Sequence, residues 1–223
     1  MATLAERFAA VTQDVAAAAR DVGRDPSEIT TIVVTKFHPA SLVRELAALG
    51  ARDVGENRHQ EAAPKAAELA DLDLTWHFVG QLQGNKAAAA LEYATVIHSV
   101  DRPSLIAAIA KTNREVGVFL QLNLTDDPDR GGVAADDLEA LAEHALAVPG
   151  ITLLGVMAVA GIGADPRAEF ARVRAASDRL RSLAPMATRL SMGMSGDYRE
   201  AIAEGATHLR IGTAITGNRP PAS

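Results

Sequence analysis

Short apolar runs rich in β-branched residues alternate with longer amphipathic stretches along the chain. The short runs predict eight β-strands, at Thr31–Thr35, Ala51–Val54, Trp76–Gly80, Val96–Val100, Val118–Asn123, Leu153–Val159, Arg189–Met194 and His208–Ile211. The stretches between them predict helices at Pro39–Leu49, Asn57–Leu72, Asn85–Glu92, Pro103–Glu115, Ala135–Ala147, Arg167–Leu183 and Asp197–Glu204. A further predicted helix, Thr3–Val22, precedes the first strand.

Strict alternation of strand and helix favours parallel strands joined by right-handed crossovers. Eight such units favour a closed (β/α)8 barrel of the TIM type, in the α/β class, and an open doubly wound sheet is the alternative. Few residues follow the last predicted strand, so the N-terminal helical segment, residues 1–30, is expected to pack on the barrel in place of an eighth outer helix. We therefore predict one domain over residues 1–223, with a frayed tail at residues 219–223.

Composition narrows the possible functions. With 223 residues, 48% of them hydrophobic, the chain can bury a complete core. A net charge of −6 gives no basic footprint for nucleic acid or an anionic membrane surface. The lack of cysteine excludes disulfides, thiolate catalysis and cysteine-ligated metals. No signal-peptide core or transmembrane stretch is visible, so we expect a cytoplasmic protein.

Lys36 closes the apolar run Thr31-Ile-Val-Val-Thr-Lys36, where a buried strand opens toward a ligand. An amine placed there can lose part of its hydration, shed its proton more easily and attack a carbonyl carbon. The chain has only four lysines among its 22 basic residues, leaving 22 − 4 = 18 arginines, so a lysine at this position is notable. The alternative is a strand-end lysine whose ammonium group simply reaches water.

Polar and glycine-rich segments follow several strands, and the active sites of such barrels lie at the carboxyl ends of the strands. Ser195 follows the seventh strand, and Gly212 and Thr213 follow the eighth. Their hydroxyls and backbone amides predict a phosphate site, although Ser195 or Asp197 could instead cap a helix. Arg210 lies inside the eighth strand, where its charge either faces a ligand or forms a structural salt bridge.

Other polar positions are less specific. Glu56 and Asn57, after the second strand, could be rim ligands or helix caps, and His77 and His98 are interpreted as core or rim histidines with satisfied hydrogen bonds. Met192 and Met194 alternate along the seventh strand and are interpreted as core filler. No motif supports a metal site, and Asp126-Asp-Pro-Asp-Arg-Gly-Gly132 is interpreted as a flexible acidic loop without calcium-loop spacing.

Five ordered motifs together resemble the pyridoxal phosphate homeostasis proteins, which are single barrels related to the N-terminal domain of alanine racemases. These motifs are Val34-Thr-Lys36, Gly55-Glu-Asn57, Trp76-His-Phe-Val-Gly-Gln-Leu-Gln-Gly-Asn-Lys86, Leu190-Ser-Met-Gly-Met-Ser195 and Arg210-Ile-Gly-Thr213. The resemblance implies that Lys36 holds pyridoxal 5′-phosphate (PLP) as a Schiff base. It also implies that Ser195, Gly212 and Thr213 bind the phosphate, that Arg210 faces the pyridine nitrogen, and that Asn57 and Met192 lie near the ring. Departures at Thr35, Phe37, His38 and Gln81 affect the expected shape of the mouth.

The expected function is that of a non-catalytic, monomeric carrier that holds PLP and passes it to apo PLP-dependent enzymes. A cationic arginine disfavours protonation of the ring nitrogen, and the chain offers no identifiable second acid/base. Alanine racemases also use a second domain, and here the sequence ends at the barrel. A PLP-dependent amino-acid racemase of low activity is the main alternative, and a Schiff-base aldolase acting on a sugar phosphate is another.

Overall fold

The computed structural model describes residues 2–125, 127 and 130–218. Within them, eight parallel strands close into a barrel in chain order, with β8 paired to β1. The strands are β1 (Thr30–Val34), β2 (Asp53–Glu56), β3 (Thr75–Phe78), β4 (Val96–Val100), β5 (Val116–Leu122), β6 (Ile151–Ala158), β7 (Arg189–Ser191) and β8 (His208–Ile211). The predicted TIM-type barrel is confirmed, and the open sheet is excluded.

Helices separate the strands along the chain. They are α1 (Leu4–Asp21), α2 (Ala40–Ala48), α3 (His59–Glu68), α4 (Ala87–Ala90), α5 (Pro103–Ala110), α6 (Leu138–Leu146), α7 (Pro166–Leu183), α8 (Tyr198–Ala203) and α9 (Thr213–Thr216). Short 3₁₀ turns lie at Pro26–Glu28, Gly84–Lys86 and Ala135–Asp137. No helix in the described part of the chain is long and apolar enough to cross a membrane.

Helix α1 lies against the two helices that precede and follow β8. A reciprocal capping box between Thr3 and Glu6 starts the helix and satisfies its first amides. Helix α1 packs against α8 and α9, and Arg7 Nε donates a 2.7 Å hydrogen bond to the carbonyl of Ile215 in α9. The single-turn helix α9 was not predicted, and it provides the surface on which α1 rests after β8.

Backbone conformation explains where predicted and observed boundaries differ. Strand β7 ends at Ser191 rather than at Met194, because Gly193 adopts the left-handed region at φ +91°. Helix α5 stops at Ala110 rather than at Glu115, and Asn113 turns the chain at φ +52°. Helix α3 begins two residues later than predicted because Arg58 is extended, at φ −130° and ψ 123°.

The barrel interior combines aromatic and polar side chains. The rings of His98 and Phe119 stack with centroids 4.5 Å apart, and His208 packs edge-on against Phe119. Apolar residues of the strands and of the surrounding helices together form the main core, and a smaller cluster joins α2 and α3 to β2 and β3 around Trp76. Part of the predicted acidic loop (residues 126, 128 and 129) and the predicted frayed tail at residues 219–223 lie outside the described residues.

Candidate functional site

A cleft of about 420 Å³ opens at the carboxyl ends of the strands. Six of the seven predicted site residues line it, namely Lys36, Asn57, Ser195, Arg210, Gly212 and Thr213. Apolar or small residues complete the wall, namely Val34, Val79, Val159, Met194 and Gly196. Segments far apart in the sequence therefore meet at one rim, as expected from the barrel topology.

Lys36 lies two residues beyond β1 and is half-buried. The next residue, Phe37, adopts the left-handed region at φ +67°, and its N–H donates a 3.1 Å hydrogen bond to Glu61 Oε2 of α3. The Phe37 ring centroid is 6.0 Å from the Lys36 ammonium nitrogen. An uncommon backbone conformation, held by a side chain from α3, therefore fixes the segment that carries Lys36.

A buried polar cluster lies directly behind this segment. Lys65 Nζ contacts Glu56 Oε1 at 2.5 Å and the carbonyl of Thr35 at 3.0 Å, and the Thr35 hydroxyl donates to Glu56 Oε1 at 2.7 Å. Burial raises the pKa of the Glu56 carboxyl, and Lys65 opposes that rise. Of the two alternatives for Glu56, the rim ligand is excluded, because its side chain is fully buried and does not line the cleft.

The buried lysine of this region is Lys65, which is 7% exposed and was not predicted from the sequence. Its position on the apolar face of α3, between Ala62 and Ala66, was the available signal. A lysine on such a face after a strand that ends in Glu56 indicates a buried ion pair.

Arg210 is 5% exposed and lines the cleft from β8. Its guanidinium donates to Ser191 Oγ at 2.6 Å and to the carbonyl of Ala158 at 2.8 Å. No carboxylate forms an ion pair with it among the described residues, so the salt-bridge alternative is not supported. Burial lowers the pKa of Arg210 to about 10, and Asp197 opposes this shift. A buried cation without a counter-ion favours an electron-rich ligand in the cleft.

The loops after β7 and β8 contact each other through Ser195, whose Oγ accepts a 3.3 Å hydrogen bond from the Ala214 N–H. Asp197 Oδ1 accepts a 2.6 Å bond from the Met194 N–H, and no side-chain cap is present at the start of α8. Ser195 therefore does not cap α8, and its hydroxyl instead satisfies an amide in the first turn of α9. A side chain at Gly193 would clash with Ala201, since an added Cβ would lie 2.6 Å from the Ala201 Cβ.

The two methionines of the seventh-strand motif have different environments. Met192 is fully buried in the core and does not line the cleft, so the structure does not place it beside a bound ring as expected. Met194 is 37% exposed and lines the cleft, so its interpretation as core filler is wrong. The left-handed turn at Gly193 interrupts the strand alternation and directs Met194 to the rim.

Asn57 is positioned by a close backbone contact with the third motif. A Cβ at Gly80 would lie 2.4 Å from the Asn57 carbonyl oxygen, so only glycine permits this approach. Lys86 and Gln81 line a separate depression of about 190 Å³ next to Asn57, not the cleft itself.

The remaining candidate acids and bases lie outside the cleft lining. His77 and His98 are buried and hydrogen-bonded inside the barrel, as interpreted from the sequence. The Tyr198 hydroxyl donates to Asp14 of α1, and Tyr93 packs edge-on against Trp76 outside the strands. Among the described residues, no group of three or more histidine or carboxylate side chains is arranged to hold a metal ion.

Comparison with known proteins assigns the family. Residues 8–220 match the family described as alanine racemase, N-terminal domain. A pyridoxal phosphate homeostasis protein from Pseudomonas aeruginosa is 43% identical over 228 residues, covering 98% of this chain and 97% of that protein. The chain belongs to the pyridoxal phosphate homeostasis protein family.

Solved structures agree with this family membership. PipY of Synechococcus elongatus PCC7942, solved with PLP bound, superposes with a TM-score of 0.82 at 38% identity, covering 96% of this chain and all of that chain. Alanine racemase from Corynebacterium glutamicum shares the fold alone, with a TM-score of 0.70 at 16% identity. That superposition covers 96% of this homeostasis-family chain and 63% of the racemase chain.

Proposed function

We propose that this chain binds PLP in the cleft, holds it covalently on Lys36 and serves intracellular PLP homeostasis by passing it to other enzymes. The observation that carries the proposal is the composition of the cleft wall. It has one primary amine, one buried guanidinium and two hydroxyls, and no carboxylate, imidazole or phenol among its described residues. The family and the PLP-bound PipY structure support the choice of ligand.

The donor set fits PLP group by group. Ser195 and Thr213 hydroxyls, with the glycine-rich backbone at Gly196 and Gly212, suit a phosphate dianion. Arg210 can only donate hydrogen bonds, so it suits an acceptor such as an unprotonated pyridine nitrogen. Lys36 brings the amine, and Asn57 lies beside it at the rim.

When bound, PLP supplies a reactive aldehyde and an electron-withdrawing ring, which stabilises carbanions best when the ring nitrogen is protonated. The Lys36 amine would attack the aldehyde carbon with loss of water, which ties the cofactor to the barrel. Arg210 keeps a positive charge in the cleft wall, which would disfavour a proton on the ring nitrogen. This arrangement stores the aldehyde but weakens its use in carbanion chemistry.

The wall also lacks what the two enzyme alternatives need. Racemisation requires a proton donor on each face of the substrate, whereas the titratable groups among the described lining residues are Lys36 and Arg210. An aldolase needs an acid/base near its lysine, and the nearby Glu56 is buried against Lys65. These contacts support a carrier over a low-activity racemase or an aldolase.

A borohydride-trapping experiment tests the covalent site. Purified protein incubated with PLP should show a visible absorption band and, after reduction, an adduct on the peptide containing Lys36. Lys36→Ala should lose both signals, whereas the exposed-site control Lys111→Ala should keep them. An adduct of undiminished yield on Lys36→Ala, mapped to Lys86, would overturn the assignment.

Transfer and racemisation assays separate the carrier from the enzyme. The PLP-loaded protein should activate an added apo PLP-dependent enzyme, and it should exchange the α-proton of L-alanine for deuterium scarcely faster than free PLP does. Turnover of L- to D-alanine that disappears in Lys36→Ala would instead establish the racemase.

A further inference from the structure

A continuous chain of hydrogen bonds runs through the barrel interior to Arg210. Asp53 Oδ1 lies 2.9 Å from His77 Nε2, and His77 Nδ1 lies 2.9 Å from His98 Nε2. His98 Nδ1 lies 2.8 Å from Ser191 Oγ, which accepts the 2.6 Å bond from Arg210. The three links that involve histidine have ordinary hydrogen-bond distances, and the link from Arg210 to Ser191 is slightly shorter.

This chain connects opposite ends of the barrel. Asp53 is the first residue of β2, at the amino-terminal end of the strands, and its side chain is 28% exposed. Arg210 lines the cleft at the carboxyl ends. Strands β4 and β7 are not neighbours, so the bond between His98 and Ser191 crosses the interior. The hydrogen bonds thereby link the carboxylate of Asp53, at the amino-terminal end of the barrel, to the guanidinium of Arg210 in the cleft.

Arg210 and Asp53, the two ends of this chain of hydrogen bonds, determine the direction in which the donors point. Arginine can only donate, an ionised carboxylate can only accept, and each neutral histidine carries one ring proton. Ser191 therefore accepts from Arg210 and donates to His98 Nδ1. His98 then carries its proton on Nε2 and donates to His77, which carries its proton on Nε2 and donates to Asp53. Burial lowers the pKa of His98 well below its ordinary value, which is consistent with a neutral ring.

We propose that Asp53, His77, His98 and Ser191 form a positioning relay for Arg210. The relay holds the Ser191 oxygen so that it accepts from the guanidinium, and it ends at the carboxylate of Asp53, whose acceptor oxygen sets the direction of the donors. The hydrogen bonds of such a directed chain polarise one another, so a change at Asp53 alters the hydrogen bond that Arg210 makes in the cleft. The inference rests on the proposed function only in assigning PLP as the ligand that senses Arg210.

The direction of the relay can be tested without any cofactor. Nitrogen-15 NMR of the imidazole rings in the PLP-free protein should show His77 and His98 both protonated on Nε2 and unprotonated on Nδ1. If His77 were an imidazolium, its Nδ1 proton would point at His98 and force the His98 proton onto Nδ1. A proton on Nδ1 of His98 would overturn the relay whether or not the protein binds PLP.

A matched pair of variants tests whether the relay acts on the cleft. Asp53→Asn removes the terminal charge at a partly exposed position, and Asp73→Asn removes one charge from an exposed loop. Asp53→Asn should weaken PLP binding by about 2- to 30-fold, the range for network residues remote from a ligand, and should shift the absorption maximum of bound PLP. Asp73→Asn should change neither property.

Equal PLP affinity and an identical spectrum of bound PLP in the two variants would show that these hydrogen bonds only stabilise the core. If the wild-type protein fails to bind PLP, the proposed function falls, while the tautomer measurement still decides the relay.

Discussion

At the residue scale, the proposed phosphate site depends on two hydroxyls, those of Ser195 and Thr213, whose positions are set by the loops after β7 and β8. Ser195 contacts the N–H of Ala214, so the same oxygen joins the loops and faces the cleft. A hydrogen bond to a charged group contributes about 1.5–3 kcal/mol, which sets the scale of the effect expected when it is removed.

Ser195→Ala should therefore weaken PLP binding by roughly 1.5–3 kcal/mol and should weaken binding of unphosphorylated pyridoxal much less. Titrations of both ligands, followed by absorbance, give the comparison, and Ser104→Ala at an exposed position of α5 is the control. Equal losses for the two ligands would mean that Ser195 serves the loop contact alone.

Much of the site was predictable because strand ends converge in a parallel barrel, which is why Lys36, Ser195, Arg210 and Thr213 meet in one cleft. The sequence could not predict that Met194 rather than Met192 lines the cleft, since this depends on the backbone conformation at Gly193. Sequence position gives the end of a strand to within a few residues, but it does not show which side chain a single glycine turn exposes.

At the element scale, α3 acts as a clamp on the segment that carries Lys36. Glu61 accepts from the N–H of Phe37, and one turn later Lys65 donates to the carbonyl of Thr35. Lys36 thus lies between two backbone atoms that the same helix fixes. Spacing alone could not reveal this clamp, because both contacts depend on how α3 packs over the end of β1.

Lys65→Met should destabilise the fold by about 3–5 kcal/mol, because it leaves the Glu56 carboxylate buried without its cation. Urea unfolding measures the loss, and Lys111→Met, at an exposed position, should leave stability nearly unchanged. The double variant Glu56→Gln/Lys65→Met should recover most of the stability. A double variant as unstable as Lys65→Met would show that the contact with Thr35, not the charge pair, is dominant.

At the scale of the whole molecule, the histidines inside the barrel couple folding to pH. Burial lowers the pKa of His98 well below its ordinary value and that of His208 to about 3, with smaller contributions from His77 and nearby arginines. The unfolded chain titrates near pH 6.5 at these positions, so below that pH it binds more protons than the folded chain does. Acid therefore favours unfolding from about pH 6.5 downward.

The folding equilibrium constant should fall about tenfold per pH unit for each of these histidines below pH 6.5. Urea unfolding between pH 7.5 and pH 5 gives the slope. His208→Asn retains an acceptor for Thr207 and should reduce the slope by about one decade per unit, whereas His144→Asn, exposed on α6, should not. An unreduced slope in His208→Asn would assign the acid sensitivity to other groups.

The pairing of β8 with β1 has a consequence for synthesis on the ribosome. A nascent chain presents Lys36 early, but Gly212 and Thr213 follow the last strand to be made, and α1 can pack on α9 only then. Folding of such non-local topologies waits for distant segments to meet. A growing polypeptide therefore displays the Lys36 amine before the proposed phosphate cradle exists, so the proposed capture of PLP requires the finished barrel.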